Sequence, residues 1–165
     1  GGPPNDAQPT TNVAAAANGA SATASSFFNA GYAPSGANDG DRKGQNWSNG
    51  GGWNDATANG YPDFLQINFA GPKTISEVDV FTVQDNYTAP STPTPAMTFT
   101  LYGITNFQVQ YFDGTNWVNV PGGIVNGNTL VWQRIAFPAL TTTAIRINVT
   151  GALNAYSRIT EVEAY

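Results

Sequence analysis

The stretch of the chain best suited to chemistry runs from residue 37 to residue 47, and a glycine-rich segment continues it to residue 55. It brings the carboxylates of Asp39 and Asp41, several side-chain amides and several glycines close together in sequence, and Trp47 closes it. Carboxylate and carbonyl oxygens at mixed spacing suit a hard cation such as Ca²⁺, which takes about six to eight oxygen ligands. Asp39 can equally cap a turn, because aspartate side chains accept hydrogen bonds from nearby backbone amides. From this pattern alone, a metal site and a plain turn both stay open.

The composition limits what the chain can do. Its 165 residues, 41% of them hydrophobic, suffice for one well-buried domain. The absence of cysteine and histidine excludes disulfides, thiolate nucleophiles and Ser–His or Cys–His arrangements. The net charge of -5 disfavours nucleic acid, which is bound by basic patches. No apolar run approaches the length needed to cross a bilayer. These features favour a binding protein over an enzyme.

The elements that must position the loop are recognised from short runs of alternating apolar and polar residues. Such runs predict strands over residues 64–69, 75–83, 98–102, 107–112, 116–120, 130–137, 144–149 and 159–164, and an edge strand within residues 12–26. Gly71 and Pro72 mark a turn, and the proline-rich segment 84–95 predicts a long loop. About eight short strands without a convincing helix indicate a β-sandwich or jelly roll.

The first eleven residues differ in character from the rest. Residues 1–11 are rich in glycine and proline and contain no large apolar residue. We interpret them as a linker or a cloning remnant, so that the domain proper runs from residue 12 to residue 165. A linker at one end implies a module cut from a longer protein, with any export signal upstream.

The order of these pieces resembles the discoidin, or coagulation-factor type C, domain of the galactose-binding-like superfamily, whose bacterial members include the family 32 carbohydrate-binding modules. The matching motifs are NVA (12–14), ASS (24–26), NDGD (38–41) with Trp47, DFLQINF (63–69), ISEV (75–78), FQVQY (107–111), AIRI (144–147) and RITEVEAY (158–165). The resemblance covers nearly the whole chain. It implies an all-β, eight-stranded antiparallel jelly-roll β-sandwich whose two ends lie close together.

The resemblance also implies a structural calcium ion, which many family members hold between the Asp–Gly loop and a glutamate near the C-terminus. In this sequence the side-chain ligands would be Asp39 and Glu161. Backbone carbonyls of Ala37, Asp41 and Gly44 would complete the set. Gln45 or Asn46 stands where relatives often have threonine.

Relatives that bind sugars do so through loops at one end of the sandwich. Three loops here combine aromatic rings with amides, carboxylates or arginine, which is the mixture that a sugar site needs. We therefore predict ligand contacts from Trp53, Asn54, Asp55, Asp85, Asn86, Tyr87, Tyr156 and Arg158. The absence of a loop histidine gives no support to a preference for galactose.

Each of these contacts has a structural alternative. Trp53 can cover the edge of the core, and the segment 85–87 can be turn chemistry. Arg158 can form an ion pair with Asp39, Asp41 or Glu163. We expect the rings of Phe27, Phe28 and Tyr32, and those of Trp117 and Trp132, to fill the core.

The leading hypothesis is a non-catalytic carbohydrate-binding module for adhesion or targeting, stabilised by calcium. It would belong to a larger extracellular protein, secreted or at the cell surface, with a glycan and covalently linked neighbouring domains as its partners. A protein- or phospholipid-binding discoidin module is the first alternative, although loops carrying aspartate and asparagine disfavour membrane binding. A structural spacer without a ligand is the second.

A catalytic alternative rests on the aspartates alone. Two of them could form the carboxylate pair of a glycosidase, about 5 to 9.5 Å apart; the candidates are Asp39, Asp41, Asp55, Asp63 and Asp85. A lone jelly roll of this size offers little cleft, and its best carboxylates are those of the metal loop. We therefore predict that the chain is not an enzyme.

Overall fold

The computed structural model describes residues 11–165. These residues form seven strands: β1 (Ser21–Ala24), β2 (Trp53–Asn54), β3 (Asp63–Thr82), β4 (Ile104–Phe112), β5 (Trp117–Val125), β6 (Trp132–Ala152) and β7 (Arg158–Ala164). Three short 3₁₀ helices, Ala16–Asn18, Ala30–Tyr32 and Pro34–Ala37, precede β2. The strand order is β2-β7-β3-β6-β4-β5, with β1 on β3, and every pairing is antiparallel. The predicted all-β antiparallel fold is confirmed.

Two long strands connect the two sheets of the sandwich. The first half of β3 pairs with β1 and with the second half of β6, which continues to β4 and β5. The second half of β3 pairs with β7 and with the first half of β6. Each long strand thus contributes to both sheets, and side chains from both halves share one hydrophobic core.

The long strands explain why the structure has seven strands where about eight were predicted. Segments 64–69 and 75–83, predicted as separate strands, belong to β3 apart from Val83, and segments 130–137 and 144–149 fall largely in β6. The expected turn at Gly71 and Pro72 is an irregularity, where the pairing of β3 with β6 shifts register between Asn68 and Lys73. A register shift lets a continuous strand change direction without a loop.

Two other predicted strands are corrected by the structure. Segment 98–102 makes one isolated bridge, between Thr98 and Leu130, because it lies in the loop between β3 and β4. Only Ser21–Ala24 of segment 12–26 is a strand, and Ala16–Asn18 is a 3₁₀ helix. Among the described residues, no helix is long and apolar enough to cross a membrane.

Residues near the two ends of the domain meet, as expected. The Val13 N–H donates to the Ala164 carbonyl at 2.9 Å, and the Ala164 N–H donates to Asn12 Oδ1 at 3.0 Å. Ten of the eleven residues interpreted as a linker, 1–10, lie outside the described residues.

Alternation along β3 and β6 separates an inward from an outward face. Leu65 and Ile67 on β3 and Ile147 on β6 are fully buried, whereas Gln66 and Arg146 between them are half-buried. This pattern follows from the two-residue period of a strand, which points successive side chains to opposite faces. One face of this sheet is therefore core, and the other is a polar surface.

Candidate functional site

A cleft opens among the loops at one end of the sandwich. Its main hollow has a volume of about 300 Å³ and is lined by Tyr32, Trp47, Ser48, Asn54, Val83, Tyr87, Tyr102 and Arg158. A neighbouring hollow of about 160 Å³ shares Tyr32, Asn54 and Arg158 and adds Phe28 and Tyr156. The two hollows share three residues, and we name them together the loop-end cleft.

Aromatic rings form one wall of the loop-end cleft. Phe28 lies 5.7 Å from Tyr156 and 5.8 Å from Tyr32 between ring centroids, and Tyr32 lies 5.5 Å from Trp47. All three contacts are edge-on, the arrangement that aromatic quadrupoles favour, so the rings hold one another in fixed orientations. Tyr32 ends the helix Ala30–Tyr32, whose first turn is capped by a hydrogen bond from the Gly31 N–H to Asn29 Oδ1.

A glycine allows Trp47 to reach this wall. A Cβ added at Gly52 would collide with the Trp47 ring and would lie 2.9 Å from the carbonyl oxygen of Ile159 on β7. The indole can therefore pack against the backbone beside β2 only because residue 52 has no side chain. The glycine-rich run that follows the predicted metal loop therefore also shapes this cleft.

Tyrosine hydroxyls on both sides of the cleft are available to a ligand. Tyr87 and Tyr102, from the loop between β3 and β4, lie 5.5 Å apart edge-on. Within residues 11–165, the hydroxyls of Tyr32, Tyr87 and Tyr102 make no hydrogen bond to another residue. A hydroxyl both donates and accepts, so each can bond to a hydroxyl of a bound molecule.

Arg158 ties the strands and loops around the cleft together. It stands directly opposite Asn54 in the pairing of β2 with β7, and its Nε donates to Asn54 Oδ1 at 2.9 Å. Its terminal nitrogens donate at 3.2 to 3.5 Å to four backbone carbonyls, those of Tyr102, Leu153, Asn154 and Tyr156. Burial lowers the pKa of Arg158, because leaving water disfavours the charged form. The alternative of an ion pair with Asp39, Asp41 or Glu163 is wrong, since within residues 11–165 Arg158 donates only to Asn54 and to these carbonyls, and Glu163 pairs with Arg42 at 2.8 Å.

Two predicted ligand contacts lie in the interior and are corrected. Trp53 and Asp55 are each 0% exposed. The Trp53 indole N–H donates to the Ser26 carbonyl at 2.8 Å, and Asp55 accepts from the Ser157 N–H at 2.7 Å and from Thr57 at 2.7 Å. Their side chains are enclosed by the fold, so Trp53 is part of the core and Asp55 fixes neighbouring loops.

Three predicted contacts lie on the loop after β3, and only one of them lines the cleft. Asp85 accepts hydrogen bonds from Thr100 and Leu101 at 2.9 to 3.0 Å, and Asn86 donates to the Ala89 carbonyl at 3.2 Å. Burial acts to raise the pKa of Asp85, but these hydrogen bonds outweigh it and lower the pKa. Both residues hold the turn and do not line the cleft, whereas Tyr87 does.

The structure therefore brings Asn54, Tyr87, Tyr156 and Arg158 together from the predicted set. Sequence reasoning missed the other cleft residues, among them Phe28, Tyr32, Trp47, Ser48 and Tyr102. A usable signal was the cluster of rings in segment 27–32, which has no alternating pattern to bury them. Phe27 and Phe28 are 46% and 52% exposed, so the expectation that they fill the core is wrong.

The loop that contains Asp39 meets β7 at a buried carboxylate. Glu161 is fully buried, and its Oε2 accepts from the Gly40 N–H at 2.8 Å. Within the described residues, its Oε1 has no hydrogen-bond partner. Burial raises the pKa of Glu161 to about 10, and the nearby charge of Asp39 adds to that effect. A buried carboxylate beside a second one is stabilised by a proton or by a cation.

The remaining predicted metal ligands, Ala37, Asp41 and Gly44, lie in the same segment of the chain as Asp39. The Asp41 carboxylate accepts from the Lys43 N–H at 3.1 Å and the Gln45 N–H at 2.8 Å, so it closes the loop. Ala37 is buried, and the Gly44 carbonyl accepts from the Trp47 N–H at 3.2 Å. Over residues 11–165, no three acidic side chains are grouped to hold a metal by themselves. The donor set present, two carboxylates and backbone carbonyls, fits a hard cation that prefers oxygen.

The fold and its loops have the character of a discoidin-type domain, and a family model covers the same elements. The model of the F5/8 type C domain matches residues 21–162, from the start of β1 into β7. The chain belongs to the F5/8 type C domain family. No curated protein matches the chain.

Several solved structures share the fold. Chitosan-binding module 1 from a chitosanase/glucanase of Paenibacillus sp. IK-5 has a TM-score of 0.69 at 22% identity, covering 94% of this chain and 98% of that one. A fucose binding module of Streptococcus pneumoniae has a TM-score of 0.68 at 20% identity, covering 94% of each chain. The family 32 CBM of C. perfringens NanJ, in complex with galactose, has a TM-score of 0.62 at 17% identity, covering 88% of this chain and 92% of that one.

Proposed function

We propose that this domain is a non-catalytic carbohydrate-binding module whose ligand site is the loop-end cleft. The observation that carries the proposal is a concave site walled by aromatic rings, in which tyrosine hydroxyls are without partners in the described part of the chain. Solved modules of the same fold, named for chitosan or fucose binding or bound to galactose, support it. The domain would serve adhesion or targeting within a larger secreted or surface protein.

The chemistry of the cleft suits one end of a glycan. A ring face of Trp47 or Tyr32 can cover the C–H surface of a pyranose, while hydroxyls of Ser48 and Tyr102 bond to its hydroxyl groups. The main hollow, about 300 Å³, lies at the lower limit of ligand pockets, which run from about 300 to 1,000 Å³. This size favours one or two sugar units over a long stretch of polymer.

A structural calcium ion completes the proposal. Asp39 and Glu161 would hold it with their carboxylates, and backbone carbonyls of Ala37, Asp41 and Gly44 would fill the remaining positions. The ion would neutralise the buried Glu161, whose Oε1 has no protein partner within residues 11–165. The same loop runs on to Trp47, so fixing it would also fix one wall of the loop-end cleft.

The test is a broad glycan array followed by calorimetry on any glycan that binds. We expect the folded, calcium-loaded protein to bind at least one glycan. Tyr102→Phe and Tyr87→Ala should weaken binding about tenfold, as expected when a hydrogen bond or a stacked ring is lost. Tyr111→Phe, which alters a tyrosine on β4 outside the cleft, is the matched control. A protein that binds no glycan on the array would contradict the proposal and favour the spacer.

A protein- or membrane-binding role is supported by one observation. Phe27, Phe28 and Leu101 are 46%, 52% and 49% exposed, and exposed apolar side chains suit a protein or lipid partner. Co-sedimentation with anionic liposomes distinguishes a membrane-binding role from glycan binding. If the domain binds lipid, Phe27→Ser should abolish lipid binding and leave glycan binding at the loop-end cleft unchanged.

A further inference from the structure

One sheet contains the first half of β3, the second half of β6, β4 and β5. The outward face of this sheet carries a second polar surface that shares no residue with the loop-end cleft. Six half-buried side chains from β3, β4, β5 and β6 form it, and we name it the amide face: Gln66, Gln108, Gln110, Asn119, Arg146 and Asn148. Gln66, Arg146, Gln110 and Asn119 stand in register across four neighbouring strands. With strands about 4.8 Å apart, this row is roughly 14 Å long.

The amides of this face fix one another in place. Gln110 Nε2 donates to Asn119 Oδ1 at 3.1 Å, and Asn148 Nδ2 donates to Gln108 Oε1 at 3.1 Å. Each amide has two N–H donors and a carbonyl with two lone pairs, so every one of them keeps capacity after these bonds. A row of ordered groups that both donate and accept suits sugar hydroxyls, because little side-chain freedom is lost on binding.

Arg146 lies at the centre of the row, between two aromatic rings. Its guanidinium carbon is 3.9 Å from the centroid of Phe64 and 4.3 Å from that of Trp117. Its Nε donates to Gln66 Oε1 at 2.8 Å. Within residues 11–165, its two terminal nitrogens have no hydrogen-bond partner and it forms no ion pair. Two rings and one amide thus hold the guanidinium, while four of its five N–H donors have no partner within residues 11–165.

The surroundings of Arg146 also form a hollow. It has a volume of about 450 Å³, within the size range of ligand sites, and its lining includes Gln66, Asn68, Phe112, Trp117 and Arg146. The lining contains no carboxylate, although the chain as a whole carries a net charge of -5. The hollow is therefore a local positive site in an acidic protein.

We propose that the amide face binds an acidic sugar chain, with the carboxylate of a uronic acid unit held by the terminal nitrogens of Arg146. The planar guanidinium matches a carboxylate with two parallel hydrogen bonds, and the carboxylate supplies the acceptors that the protein does not. Trp117 offers a ring edge or face to the sugar, and the neighbouring amides bond to its hydroxyls. This site is additional to the loop-end cleft and does not depend on it.

The test uses a defined acidic probe and its uncharged counterpart. The ¹⁵N-labelled wild-type domain is titrated with hexameric oligogalacturonate and with the methyl ester of the same oligomer. We expect chemical-shift changes confined to the amide face and to the Arg146 side chain, with the acid form only. Arg146→Gln, which keeps an amide but removes the charge, should weaken binding about tenfold or more.

Matched variants separate this effect from damage to the fold. Arg134→Gln removes the other arginine of β6, whose Nε lies 3.4 Å from Glu77 Oε2. This variant should leave oligogalacturonate binding unchanged. Arg146→Lys keeps the charge without the planar fork and should bind more weakly than the wild type. The wild-type shift map needs no variant, so the proposal stays testable even if Arg146→Gln unfolds.

Four results would overturn the proposal. These are no shift change with the acid oligomer, equal binding of its methyl ester, changes centred on Tyr32 and Trp47, and equal binding of polyglutamate. The last would make the partner an acidic protein segment. Failure of neutral glycans to bind at the loop-end cleft would leave the amide face unaffected, so the two proposals fail separately.

Discussion

Arg158 and Arg146 are both arginines held beside two aromatic rings, yet the protein uses them in opposite ways. Arg158 gives its N–H groups to Asn54 and to four backbone carbonyls. Arg146 gives a single hydrogen bond to Gln66. The comparison shows that an arginine in a cleft is not by itself a ligand contact. Arg158 holds the strands and loops around the loop-end cleft in place, whereas Arg146 has N–H donors left for a ligand.

The largest expected effect is a difference in the free energy of unfolding between variants of the two arginines. Arg158→Gln would leave several carbonyls without donors at a partly buried position, so we expect it to lower the free energy of unfolding by about 3 kcal/mol. Arg146→Gln should cost about 1 kcal/mol or less, mainly from its contacts with Phe64 and Trp117. Urea unfolding followed by Trp fluorescence measures both. Equal losses of stability in the two variants would contradict the different roles of Arg158 and Arg146.

Calcium binding is tested at Glu161, a buried carboxyl group whose Oε1 has no protein partner in the described part of the chain. At a hundredfold excess over its Kd, calcium should raise the free energy of unfolding by about 2.7 kcal/mol relative to the protein in excess EDTA. Glu161→Gln should remove the difference, since the amide carries no charge for the ion. Thermal melts measure it, and Asp85→Asn is the control because Asp85 lies outside this loop. A wild-type melt that calcium does not change would return the loop to a plain turn.

The smallest effect concerns Asp79, which lies in the second half of β3 and pairs with Arg134 in the first half of β6. Burial, followed by neighbouring Glu77, raises the pKa of Asp79 to about 8. The folded state then holds a proton that the unfolded chain releases near pH 4, so this group's contribution to stability falls as the pH rises from about 4 to 8. The groups facing Asp79 are Glu77 on its own strand, Glu163 on β7, Trp132 and Arg134 on β6, and Arg42 beside Glu163.

The measurement compares Asp79→Asn with the wild type in saturating calcium. We expect the wild type to lose about 1 to 2 kcal/mol more than the variant between pH 5 and pH 6. Oligogalacturonate binding at Arg146, in the second half of β6, should stay constant over this range, because Arg146 and the uronate carboxylates are already fully charged. Parallel pH profiles of stability for wild type and variant would argue against a protonated Asp79.

Much of the fold could be predicted from the sequence, because alternation in segments such as 64–69 fixes both a strand and its buried face. The continuity of β3 could not be predicted, since Gly71 and Pro72 are equally suited to a turn and to an irregular strand. The interior position of Trp53 had no local signal either: a tryptophan among glycines looks the same whether its ring points in or out. Arg146 meets Trp117 only through the register of β6, β4 and β5, which no single segment contains.

The sharing of β3 and β6 between the two sheets has a thermodynamic consequence. Neither sheet can come apart while the other stays intact, because the same two backbones run through both. The domain should therefore melt as one cooperative unit, and each ligand should protect the whole of it. A glycan in the loop-end cleft, a cation at Glu161 and a uronate on the amide face would then add their stabilisation without any change of shape passing between them.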